Sequence, residues 1–298
     1  MKIFASIIIC TYIRANLLER LLDSAFNQTL ANDFYEIIIV NDASTDHTIA
    51  VCETAKYNFS NVRYFTAKEN GNLPKAANFA LQYARGDVIL FTDDDCILPK
   101  NWVETMVNEL KTRPIIAGAI KSPTDNYLRL CHNIAEFNNF MSGGKAAYTD
   151  FIAGPNMGIK RFIIRSLQFD ENNVLAPDTE FILRARSKGY RVYFEPKSII
   201  IHAHERTTLS ELFSYSKKHA SATIHLRLKY ESLLRTPWVL KSPFWLVIFS
   251  PVIALWVTIK TFVKNKSLFK NIYTSPLVFA LKLTWCWGAA KSLAAQKT

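Results

Sequence analysis

The chain has 298 residues, 49% hydrophobic and 20% charged, a composition that is globular and excludes a disordered or fibrous protein. Its five cysteines, Cys10, Cys52, Cys96, Cys131 and Cys286, are scattered and form no CxxC pair, which excludes a disulfide framework and a cysteine zinc site and suits a reducing compartment. The net charge of +11 raises nucleic acid as a partner, but Arg235 and eight lysines follow Glu231 with no acidic residue among them, leaving 27 basic against 25 acidic residues in 1–231. The basic excess therefore belongs to the most apolar part of the chain, which speaks for a membrane-facing tail and against a nucleic-acid groove.

Ile3–Cys10 is a continuous β-branched apolar run, as expected of a parallel strand covered on both faces. It is too short for a signal-peptide core and lacks a cleavage site. A helix follows, with Asn16 to Glu19 resembling a capping box and Leu17, Leu18, Leu21, Leu22 and Ala25 at helical spacing. The pattern then predicts a strand over 36–41, a helix over 44–57, a strand over 62–65, a helix opened by Pro74, and a strand over 87–92. A helix over 102–110 and a strand over 115–120 come next. Residues 123–205 are less regular, with a helix predicted from Asp178 to Ser187 and two short strands, 191–194 and 198–202. Thr208 to Arg235 reads as a long polar helix. Alternating strands and helices imply a doubly wound α/β sheet, whose ligands sit beyond the carboxyl ends of the strands. Those ends carry Cys10-Thr11-Tyr12, Asn41-Asp42 and Asp93-Asp94-Asp95.

Three consecutive carboxylates after a buried strand repel one another unless a cation neutralises them, and hard oxygen ligands favour Mg²⁺ or Mn²⁺. Ser6 to Tyr12, Asn41 to Asp46, Glu69-Asn70-Gly71, Asn78 and Thr92 to Asp95 resemble, in order, the successive motifs of family 2 glycosyltransferases. The similarity runs from about Lys2 to His202. It implies the GT-A fold, a doubly wound mixed sheet, here with C-terminal hydrophobic helices. It also implies inverting transfer of a sugar from a nucleotide-diphosphate donor with a divalent metal, Mn²⁺ or Mg²⁺. Carried over to this chain, the resemblance puts Cys10, Thr11 and Tyr12 at the nucleotide and Asp42 at a uracil ring. It puts Asn78, Asp93 and Asp94 along the donor, and Asp95 and His202 on the metal. Phe151 to Met157 resembles the family's loop beside the donor and acceptor sugars, with Gly154 and Asn156 as its contacts. Asp178 matches the catalytic base, with Glu180 in reserve. The chain departs from the family's pattern at Ile13, Asn41, Ala43 and Pro177, where Asn, Asp, Gly and Glu are usual.

Ser242 to Ile259 is 18 residues without a charge, bracketed by Lys241 and Lys260, and Pro251 lies near its middle. Asn271 to Ala290 is a second apolar stretch whose central Lys282 suits a membrane interface better than a span. Lys260, Lys264, Lys266 and Lys270 favour an anionic cytoplasmic leaflet. The expected organisation is a GT-A domain over 1–235, with a nucleotide half to 122, a catalytic half over 123–205 and a helical connector to 235. A membrane-associated tail over 236–298 completes it. The expected protein is a hexosyltransferase-type enzyme at the cytoplasmic face of the inner membrane, using a UDP-sugar and a hydroxyl acceptor on a glycan or lipid-linked precursor. In the family that the chain resembles, Gln-x-x-Arg-Trp accompanies processive polysaccharide synthases, so the resemblance without that motif implies single additions. The competing readings are a catalytically silent nucleotide-sugar binder and an NAD-linked enzyme; the latter fails for want of GxGxxG after Cys10.

Overall fold

The computed structural model of the chain describes residues 3–295. In chain order the first elements are β1 (Ala5–Thr11), α1 (Ala15–Phe26), β2 (Tyr35–Asn41), α2 (Thr48–Asn58), β3 (Val62–Thr66), α3 (Leu73–Tyr83) and β4 (Val88–Phe91). Next come β5 (Cys96–Ile97), α4 (Trp102–Thr112), β6 (Ile115–Lys121), α5 (Tyr127–Glu136), β7 (Ala147–Thr149), β8 (Met157–Lys160) and α6 (Arg161–Ser166). The last are α7 (Pro177–Ser187), β9 (Val192–His202), α8 (Leu209–Lys229), α9 (Glu231–Leu234), α10 (Pro243–Lys264) and α11 (Ser275–Ala295). They divide into two compact units, one running to Lys121 and resuming over Ala146–His204, the other formed by Ser122–Lys145 and the chain from Glu205 onward.

The first unit is a mixed sheet in the order β3-β2-β1-β4-β8-β6-β9-β5, with β7 paired to β9. β3, β2, β1 and β4 are parallel, and β8 enters antiparallel between β4 and β6. Ile7, Ile8 and Ile9 in β1 and Ile37 to Val40 in β2 are buried on both faces, the physical reason their sequence is an unbroken β-branched run. Two details differ from the sequence reading. Asn16 does not cap α1; the helix starts at Ala15, and Asp46 from the next loop accepts the Ala15 amide at 3.0 Å. The two short strands predicted over 191–202 are one strand, β9, whose register against β6 shifts between Gly118 and Ala119, so that Pro196 to Ser198 bulge out.

The second unit is helical. α11 packs against both α10 and α8. Leu212, Phe262, Val278 and Leu281 join Leu130 and Ile134 of α5 in one apolar cluster. Ala220, Ile224, Leu246, Cys286 and Ala289 form a second. Gly288 lets α11 and α8 approach closely, since a Cβ there would lie 2.9 Å from the Lys217 Cα. The boundary expected at 235 does not match this division: α5 and α8 present apolar faces to α10 and α11 and fold with them. Asn271 to Ala290, read as an interfacial segment because of Lys282, falls mostly in α11, which packs on α10 and α8 while Ile272, Tyr273 and Trp287 stay exposed. The Lys282 amine donates to the Ala135 carbonyl at the end of α5, and a contact so distant in sequence leaves no local signal.

Glu136 lies beside that lysine, 2.8 Å from His219 Nδ1. Burial alone would raise its carboxyl, but His219, with His132 and Lys282 nearby, outweighs burial and lowers it to about 2. A carboxyl depressed by folding contributes stability above its unfolded value and loses it as pH falls through the folded one. We expect wild type to lose about 3 kcal/mol more than Glu136→Gln between about pH 5 and pH 2. Denaturant titration in detergent reads this, and identical pH slopes for the two proteins would contradict the pairing.

Candidate active site

The first unit brings the predicted strand ends together through register. Thr11 pairs with Asn41 across β1 and β2, and the Asp42 amide donates to the Thr11 carbonyl at 2.9 Å. β4 runs beside β1 and delivers Asp93, Asp94 and Asp95 past its end. β5 then pairs Cys96 directly with His202 of β9, which sets the imidazole against the acidic triplet. His202 Nε2 lies 3.3 Å from Asp95 Oδ1. Ligand atoms of Asp93, Asp95 and His202 fall within 4.8 Å of one another.

The triplet alternates. Asp93 and Asp95 reach the histidine, while Asp94 turns to β1, accepting the Thr11 hydroxyl at 2.8 Å and an Arg14 N–H at 2.9 Å. Burial, then repulsion from Asp95, raises the Asp93 carboxyl above the usual range, although His202 and Arg14 oppose this. Asp94 is raised by burial, which Arg14 opposes. Burial, with Asp93, Asp42 and Asp94 nearby, keeps the Cys10 thiol protonated. Two carboxylates and an imidazole, crowded and incompletely neutralised by protein cations, fit the donor set of a divalent metal.

Several sequence-predicted contacts are engaged by protein hydrogen bonds. Asp94, read as a donor contact, accepts from Thr11, also read so, and from Arg14. Asn78, also read as a donor contact, is buried in α3 and pins the chain ahead of α7. Its amide donates to the Phe169 carbonyl and to Glu171, both at 3.0 Å, and accepts the Phe169 N–H at 2.9 Å. Asn156, read as a sugar contact, is fully buried; it donates to the Ala119 and Ser198 carbonyls and accepts from the Trp102 indole, all at 2.9 Å. Asparagine in a loop motif does not reveal which way it points, and both amides point into the core. His204 rests on the His202 ring, with 5.2 Å between centroids, outside the three converging donors.

Other predicted residues remain accessible. The Tyr12 ring is exposed, and the Asp93 and Asp178 side chains are half-buried. Asp42, by contrast, is buried and accepts the Gly71 and Asn72 amides at 2.8 and 3.1 Å, one on each carboxylate oxygen. Asp178 sits in the first turn of α7, where Pro177 occupies a position that favours proline. A Cβ at Gly154 would lie 2.6 Å from Asp178 Oδ2, so the loop and the carboxylate touch only because the loop has glycine there. Glu180, the reserve candidate, is buried and ion-paired with Arg184 at 2.9 Å. Arg14 is the residue that sequence reasoning missed; a cation three positions past a strand end, facing an acidic triplet, was the available signal.

Ile13 and Ala43, at two of the departures from the family's pattern, both have positive φ, 53° and 61°. These are backbone positions that suit Asn or Gly, and a β-branched residue is strained there. Ile13→Asn should therefore stabilise the protein by about 1 kcal/mol, read as a shifted denaturation midpoint. An unchanged or lower midpoint would contradict the strain.

Residues 6–167, more than half of the chain, match glycosyl transferase family 2, and residues 88–290 match glycosyl transferase family group 2. The chain belongs to glycosyl transferase family 2. Among its relatives is the dolichyl N-acetyl-alpha-D-glucosaminyl phosphate 3-beta-D-2,3-diacetamido-2,3-dideoxy-beta-D-glucuronosyltransferase of Methanococcus voltae, 24% identical over 271 residues, 84% of this chain and 81% of that one. The cholesterol galactosyltransferase of Borreliella burgdorferi is 23% identical over 253 residues, covering 78% and 69%. Of the minor teichoic acid biosynthesis protein GgaB of Bacillus subtilis, the chain spans only 21%, at 23% identity over 191 residues and 60% of its own length. In fold it is similar to the mannosyltransferase PcManGT of Pyrobaculum calidifontis in complex with GDP-Man and Mn²⁺, with a TM-score of 0.68 at 19% identity over 100% of this chain and 89% of that one. S. aureus TarS 1-349 in complex with UDP superposes with a TM-score of 0.54 at 16% identity, covering 100% and 91%. The family 2 chain is thus a glycosyltransferase with the GT-A fold.

Proposed function

We propose that the protein is an inverting, divalent-metal-dependent transferase that moves a sugar from a nucleotide-diphosphate donor to a hydroxyl acceptor. The observation that carries this reading is the convergence of Asp93, Asp95 and His202 beyond the ends of the parallel strands. A UDP-sugar is the favoured donor: Asp42 keeps a lone pair on each oxygen after accepting two amides, so it can take a uracil N–H, and Tyr12 offers an open ring face. The acceptor is a hydroxyl of a glycan or a lipid-linked precursor, in the assembly of a surface glycan, polysaccharide or glycolipid. The relatives, whose names include a dolichyl-phosphate-linked substrate and cholesterol, support that class.

Asp93, Asp95 and His202 would hold a divalent ion, Mn²⁺ or Mg²⁺, which when bound would supply charge neutralisation for the departing diphosphate. Arg14 pairs with Asp94 at 2.9 Å and, from the same nitrogen, with Asp95 at 3.5 Å, so it offsets part of the charge of both carboxylates beside His202. Asp178 accepts the proton of the acceptor hydroxyl as that oxygen attacks the anomeric carbon. Gly154 leaves the Asp178 carboxylate clear of a side chain. Asn78 positions the segment leading into α7 and so acts on Asp178 only through the backbone. The reaction takes place at the cytoplasmic face of the inner membrane, to which the basic, apolar C-terminal region attaches the enzyme.

The test is release of nucleoside diphosphate from a panel of UDP-, GDP- and dTDP-sugars, with Mn²⁺ and with chelator. The expected result is metal-dependent turnover strongest with a UDP-sugar. Absence of turnover from every donor, with no nucleotide binding, would overturn the reading.

A further inference from the structure

Among the described residues, α10 is the one helix long and apolar enough to cross a membrane. Its two faces differ. Leu246, Ser250, Ala254, Thr258 and Phe262 recur every fourth residue and are buried, while Phe244, Ile248, Val252, Leu255, Ile259 and Val263 are exposed along the opposite side. Pro251 sits in mid-helix without breaking it, because the Val247 carbonyl that it leaves without an amide accepts the Ser250 hydroxyl at 2.7 Å. The same hydroxyl accepts the Trp287 indole N–H of α11 at 3.2 Å.

Through its buried side, α10 is tied to a polar layer. α11, which packs on it, is hydrogen-bonded to α8 at both ends: Ser216 donates to the Leu281 carbonyl at 2.9 Å, and His225 meets Ser292 at 2.8 Å. α8 carries Glu211, Lys217, Lys218, Arg227 and Lys229. If α10 crossed a bilayer, this charged helix would have to enter it or the helix stack would have to come apart, and charges at bilayer depth are costly.

We propose that α10 lies in the plane of one leaflet, with its exposed apolar stripe immersed to about the acyl boundary and the helix stack above it in water. The occupant is an anionic lipid surface. Lys260, Lys264, Lys266 and Lys270 are all exposed at the C-terminal end of α10 and just beyond it, and Lys260 lies 4.5 Å over the Trp256 ring, a pairing suited to the headgroup region. A second copy of the chain does not suit the stripe equally well. Pairing two copies would gather these lysines with no acidic residue after Glu231 to offset them.

This inference rests on the membrane attachment proposed above and specifies its geometry. The test uses the full chain in inside-out membrane vesicles. Single substitutions Lys241→Cys and Lys266→Cys, which flank α10, are treated with an impermeant maleimide against the parent protein as background. Labelling of both ends without detergent is expected. Protection of one end until detergent is added would show a span and overturn the in-plane geometry while leaving membrane attachment standing. In flotation with purified protein, Val252→Glu with Ile259→Glu should lower partitioning into vesicles of one-third phosphatidylglycerol by about tenfold or more, with helicity and donor hydrolysis unchanged. Unchanged partitioning, or a stable dimer in wild type that the same pair of substitutions dissociates, would overturn the lipid assignment. Donor hydrolysis without vesicles reports on sugar transfer separately.

Discussion

Asp178→Asn is expected to leave donor affinity within a few-fold of wild type and to lower turnover by ~10²–10⁴, the usual contribution of a positioned general base. The substitution keeps the size of the side chain and its place in the first turn of α7, so contacts with Gly154 need not change. It removes only the capacity to take a proton. In the proposed function donor binding falls to a different part of the unit, around Tyr12, Asp42 and the acidic cluster, which is why affinity and turnover should separate. Glu180→Gln gives the control. Its carboxylate is ion-paired with Arg184, so the substitution should cost stability before turnover. Near-normal turnover in Asp178→Asn would remove it from the mechanism.

Asp95→Asn should abolish measurable transfer and weaken Mn²⁺ binding by about 10² or more, since it takes one of two carboxylates from the donor set. Direct titration of the metal reads this without any turnover. A second readout follows from electrostatics: Asp93 is raised partly because Asp95 repels it, so the metal-free variant should be at least as stable as metal-free wild type. A variant that kept full activity in chelator-treated buffer would sink the metal assignment. One that lost activity only by unfolding would show Asp95 to be structural.

The parallel half of the sheet was legible in the sequence because its determinants are local. β1, β2 and β4 are buried on both faces and read as apolar runs, and their polar ends mark the site by topology alone. The pairing of Cys96 with His202 was not legible from pattern, since it joins residues more than a hundred positions apart; only family resemblance reached His202. Asn78, Asn156 and Thr11 have residue types that suit either a ligand or a buried hydrogen bond, and their direction is set by tertiary neighbours such as Phe169 and Trp102. Ile13 and Ala43, two of the departures from the family's pattern, occupy backbone positions with positive φ, which the sequence does not show. The helical unit was hardest to read. Lys282 marked α11 as unsuited to a span, yet its partner at the end of α5 lies in a stretch that sequence pattern left irregular.

The central claim is direct displacement at the anomeric carbon by an oxygen that Asp178 deprotonates, and the stereochemistry of the product tests it most directly. Proton NMR of the glycoside formed by wild-type enzyme from an α-linked nucleotide sugar, recorded before any equilibration, reports the anomeric configuration. A single displacement must give the β-linked product. An α-linked product would require retention, for which Asp178 acting as a base is insufficient, and would contradict the account.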